Sequence, residues 1–78
     1  MEKTPSKIVT DAFCKSFEVE ADEAVGLVYE GIEEWDSIGH MMMVSELETS
    51  IGKSIELDDI ISISDFQTCV AVIEKYLP

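Results

Sequence analysis

Three helix-opening signals divide this chain, and no pair of segments offers the alternation that a sheet requires. Thr4-Pro5 sets a capping hydroxyl before a proline whose missing N–H costs nothing at the first helical position. Ile8, Val9, Ala12, Phe13 and Phe17 then recur at helical spacing, which predicts a first helix over about 5–17. Asp36 is a second cap, its carboxylate suited to exposed N–H groups at a positive helix end. The helix it opens should run over 37–51 and stop at Gly52, a residue that tolerates a left-handed end. Ser64-Asp65-Phe66-Gln67 reads as a capping box with Ser64 at the cap, opening a helix over 65–77. Its apolar face would be Phe66, Cys69, Val70, Ile73 and Leu77. A shorter helix fits about 57–61.

Residues 18–36 follow no sustained period and are interrupted by Gly26 and Gly31. Val19, Val25, Leu27, Val28, Tyr29 and Ile32 make this stretch too apolar for a free linker. A long loop pinned to the core is expected, with one helical turn near Asp22–Val25. Val28–Ile32 has strand character but no partner strand, and a lone strand leaves its backbone unsatisfied. The expected fold is all-α: a small four-helix bundle forming one domain over 1–78, with three main helices, one short helix and a long first loop.

With 78 residues, a chain buries roughly 60–65% of its unfolded surface, enough for one small core and too little for a deep catalytic cleft. Five Lys, no Arg and seventeen acids give a net charge of −12, which argues against nucleic acid and anionic membranes and favours basic partners. No apolar run approaches the about 18 residues of a membrane span, and Met1–Lys7 has no apolar signal region, so a cytoplasmic location is expected. Cys14 and Cys69 are isolated and read as buried core thiols. One histidine, His40, offers no Cys/His metal constellation, and Glu33-Glu34 and Asp58-Asp59 lack the alternating ligands of a calcium loop.

The specific stretch is Glu33-Glu34-Trp35-Asp36-Ser37-Ile38-Gly39-His40-Met41-Met42-Met43-Val44. Consecutive helical residues point about 100° apart, so the Met run cannot face one core. His40, Met43, Val44, Leu47 and Ile51 make the better inward stripe, which turns Ile38, Met41 and Met42 outward as a candidate docking face. Ser37 sits in the first turn of that helix with its hydroxyl at the surface.

Over nearly its whole length the chain resembles the acyl carrier protein family: acidic four-helix domains of this size, with a long first loop and Asp-Ser-Leu opening the second helix. Here the motif is Asp36-Ser37-Ile38, and Trp35-Asp36-Ser37-Ile38-Gly39-His40 is similar to a subset of discrete carriers. Leu47-Glu48, Ile51, Ile55 and Ile63 stand where the family carries comparable residues. The resemblance implies a carrier, not an enzyme. Ser37, flanked by Asp36 and Ile38, would receive 4′-phosphopantetheine from coenzyme A through a Mg²⁺-dependent phosphopantetheinyl transferase. The arm's thiol would hold acyl or aminoacyl groups as thioesters. Partners would be that transferase and an acyl or aminoacyl ligase, synthase or transferase with a basic patch, meeting a monomer at Ile38, Met41, Met42, Glu46 and Glu48. Gly39 and Met42 depart from fatty-acid carriers, which often have acids at these places, and this favours a dedicated pathway over ordinary fatty-acid synthesis.

Two other classes compete. A serine hydrolase would use Ser37 and His40, three apart on one helix, but Asp36 points away from His40 and no oxyanion hole is evident. An acidic interaction module without a prosthetic group accounts for everything except the placement of Asp36-Ser37-Ile38.

Overall fold

A computed structural model describes residues 4–77. Met1–Lys3 and Pro78 lie outside the described residues, and part of the stretch read as free of a targeting signal lies there too. The elements are α1 (Pro5–Phe17), α2 (Ala21–Ala24), α3 (Ser37–Ile51), α4 (Leu57–Ser62) and α5 (Phe66–Tyr76). Among the described residues the fold is therefore a small, mostly helical domain of five helices with no strand. Among those residues, no helix is long and apolar enough to cross a membrane.

The helix boundaries follow from their caps. Thr4 Oγ1 accepts from the Lys7 N–H at 3.2 Å and Asp36 Oδ1 from the Gly39 N–H at 2.8 Å, each satisfying one donor of an open first turn. At the far end of α3, Gly52 adopts φ 70° and donates its N–H to the Glu48 carbonyl. The α1 face of Ile8, Val9, Ala12, Phe13 and Phe17 is buried, and α3 is its main neighbour. Phe13 stands edge-on to Phe17, Trp35 and Phe66 at centroid distances of 5.4, 5.0 and 5.6 Å, so one ring joins α1, the long loop and α5.

Four expectations are corrected. The cap of α5 is Asp65, not Ser64, and its reciprocal partner is Thr68, not Gln67. Ser64 is held outside the helix because its carbonyl accepts the Tyr29 N–H at 2.8 Å and Val28 pairs with Asp65 in an isolated antiparallel bridge. The box therefore closes one residue later: Asp65 Oδ1 accepts from the Thr68 N–H, and Thr68 Oγ1 from the Asp65 N–H. That bridge also gives Val28 the backbone partner that the sequence does not offer. Along α5 it is Val72 that joins Phe66, Cys69 and Ile73 in the core; Val70 and Leu77 are half-buried, and the helix ends at Tyr76. The loop's helical turn lies at Ala21–Ala24, one residue earlier than expected, where Glu23 reaches back to the Glu20 N–H at 3.1 Å. Finally, Cys69 is buried but Cys14 is only half-buried on α1. Burial pushes the Cys69 thiol up to about 12, and raises that of Cys14 together with the nearby carboxylates of Asp11 and Glu20.

Candidate functional site around Ser37

Everything that positions Ser37 comes from the loop before it. Trp35 is completely buried, stacked on Phe17 at 5.1 Å, and drags the chain into the core one turn ahead of α3. Its indole Nε1–H donates to His40 Nδ1 at 2.9 Å, with the two ring planes 12° apart. An indole nitrogen can only donate, so Nδ1 is the acceptor and the proton sits on Nε2. Nε2–H then donates to the Ile60 carbonyl at 2.9 Å. The buried histidine thus ties the loop to α3 and α3 to α4, with both ring nitrogens committed.

Gly39 completes this junction. A Cβ at that position would run into the Glu34 carbonyl oxygen, so the loop can lie against the start of α3 only over a glycine. Glycine at position 39 therefore has a packing cause.

Ser37, at the first helical position of α3, is exposed, as are Asp36 and Ile38. Its Oγ lies 3.4 Å from the hydroxyl of Tyr29, a residue that the sequence reading placed only in the loop. Ser37, Tyr29 and His40 border an open-sided groove of about 410 Å³ between α3 and α4, whose walls are apolar: Met41, Leu57, Ile60, Ile61 and Ile63. Ile38, Met41 and Met42 point outward, Ile38 being 72% exposed. They are joined by Leu57 and Ile61 of α4, the latter 70% exposed. The two are four apart on one face of α4, whose buried residue is Ile60.

The acidic candidates are less free than their sequence position suggests. Glu46 is half-buried with Lys15 at 3.4 Å, and Glu48 accepts the Ile55 N–H at 2.8 Å, capping the turn after α3. The groove's α4 wall is held from its outer side by Asp59, which takes the Lys75 ammonium and the Tyr76 hydroxyl at 2.6 Å each. Those two hydrogen bonds hold the Asp59 carboxyl below the usual carboxylate range. Among the described residues, no group of three or more His, Cys, Asp or Glu side chains converges as a metal site. Both ring nitrogens of His40 are engaged, by Trp35 and by the Ile60 carbonyl. Comparison with protein-family models, with curated proteins and with solved structures finds no match to this chain.

Proposed function

We propose that the chain is a carrier of the acyl carrier type, with Ser37 as the attachment point for 4′-phosphopantetheine. The observation that carries this reading is the exposed Ser37 hydroxyl at the mouth of an apolar groove, on a helix start held rigid by Trp35 and His40. The donor set suits a phosphodiester: the hydroxyl is reachable by a second protein, the first turn of α3 presents backbone N–H groups, and the Tyr29 hydroxyl stands beside it. When bound, such an arm would supply a thiol able to hold an acyl or aminoacyl group as a thioester. The chain's own residues do the rest. Asp36 keeps α3 starting at Ser37, and Gly39 lets the loop close behind it. Ile38, Met41 and Met42, with Leu57 and Ile61, give a partner enzyme an apolar landing face within an acidic surface that speeds encounter with basic proteins. An apolar face of this kind favours a dedicated ligase or synthase over the enzymes of ordinary fatty-acid synthesis.

Incubated with coenzyme A, Mg²⁺ and a broad-specificity phosphopantetheinyl transferase, the protein should gain one phosphopantetheine mass per chain. The Ser37→Ala variant should gain none. An unchanged wild-type mass, beside a control carrier that is modified, rejects the reading and leaves an acidic interaction module.

A further inference from the structure

We infer that Tyr29 is a positioning residue for Ser37: its phenol orients the serine oxygen during loading and remains that oxygen's hydrogen-bond donor once it is esterified. The inference rests on the carrier reading of Ser37 and adds a second residue to it. Tyr29 is 37% exposed, while its backbone and its ring are both held. Its N–H donates to the Ser64 carbonyl at 2.8 Å, its neighbour Val28 pairs with Asp65, and the Gly31 N–H closes a turn onto the Val28 carbonyl. Its ring meets Trp35 and His40 edge-on, with centroids at 6.2 and 5.4 Å. Its hydroxyl falls 3.4 Å from Ser37 Oγ. That distance is at the outer edge of hydrogen-bond range, so the contact contributes little to the resting fold; its consequence is one of position.

Among the described residues, Tyr29 is the side chain that the structure pairs with Ser37 Oγ. The Asp36 carboxylate is turned to the Gly39 N–H, and His40 is spent on Trp35 and Ile60. In the free protein either hydroxyl can donate to the other. During loading a bond forms between Ser37 Oγ and the phosphorus that carries the pantetheine arm. The pyrophosphate bond of coenzyme A breaks, adenosine 3′,5′-bisphosphate leaves, and the serine proton passes to a base on the transferase. Afterwards the serine oxygen has no proton to give, and Tyr29 is the donor of the pair. A phenol placed in this way holds the serine oxygen in one rotamer for attack, which acts on the rate of transfer more than on recognition of the protein.

Tyr29→Phe removes the hydroxyl and keeps the ring against Trp35 and His40, so its melting temperature and Trp35 fluorescence should match wild type. With coenzyme A, Mg²⁺ and the transferase, its kcat for loading should fall about three- to tenfold while KM for the protein stays within about twofold. A readout free of turnover is the phosphorus NMR resonance of the loaded protein, which should be displaced in Tyr29→Phe relative to wild type. A wild-type kcat, or a coincident phosphorus resonance, overturns the role of Tyr29. If wild type loads and the variant loads identically, only this inference falls; if wild type takes no mass at all, the carrier reading falls and this inference with it.

Discussion

α3 and α5 are built to the same plan and use their apolar residues differently. Each opens on an aspartate whose carboxylate accepts an N–H from the third helical residue, and each lines the core with a run of buried side chains. On α5 no large apolar side chain is exposed: Gln67, Ala71, Glu74 and Lys75 face solvent. On α3, Met43, Val44 and Leu47 fill the core while Ile38, Met41 and Met42 stand in solvent. Folding explains the whole of α5 and only half of α3. Of the unexplained half, Met41 lines the groove that Ser37 shares with Leu57 and Ile61 of α4, while Ile38 and Met42 are exposed on the same helix.

The comparison breaks most visibly if the inward faces are not equivalent. Leu47→Ala on α3 and Ile73→Ala on α5 remove fully buried side chains, and each should cost about 2–5 kcal/mol in urea unfolding. In a domain this small that approaches the whole stability. A loss under about 1 kcal/mol at Leu47 would mean that α3 is not seated on α1 as described.

Gly39→Ala tests the start of α3, where α5 has no counterpart. The new methyl meets the Glu34 carbonyl, which is backbone and cannot swing aside. A cost of about 1–3 kcal/mol is expected, with Trp35 fluorescence shifting to the red as the loop lifts. An unchanged urea midpoint would show that the loop does not lie over Gly39.

Asp59→Asn probes the link between α4 and α5 and has a smaller, pH-dependent effect. Lys75 first and then Tyr76 depress the Asp59 carboxyl below its ordinary value of 3.8. A depressed carboxyl stabilises the fold in full above that ordinary value, and the contribution is lost as pH falls through the lower folded value. The melting temperature of Asp59→Asn should therefore lie below wild type at neutral pH, and the gap should close below about pH 4. A gap that persists in acid would assign Asp59 a role other than its ionic contact with Lys75.

How much of this was legible in advance depended on whether the information was local. Thr4, Asp36 and Gly52 bounded α1 and α3 correctly because a cap is written within four residues. The start of α5 was misplaced by one residue because its deciding contact, Tyr29 to Ser64, spans the chain. The outward turn of Ile38, Met41 and Met42 followed from helical geometry alone, but the exposure of Leu57 and Ile61 needed the position of α4. The proximity of Tyr29 to Ser37 was not legible, since nothing in the sequence joins two hydroxyls eight residues apart across a loop. The packing reason for Gly39 was equally hidden, because the atom that excludes a side chain is a carbonyl five residues earlier.

The smallest expected effect is the sharpest test of the outward half of α3. Met42 is 57% exposed, so exchanging it for a charge should change stability by no more than about 0.5 kcal/mol. The sign of the charge should still register. The chain carries −12, so Met42→Glu deepens the self-repulsion and Met42→Lys relieves it. Lys should therefore melt slightly above Glu in dilute buffer, and the difference should vanish near 1 M salt, where screening shortens to about 3 Å. If both variants instead lose several kcal/mol and salt does not separate them, Met42 is core, and α3 would be no different from α5.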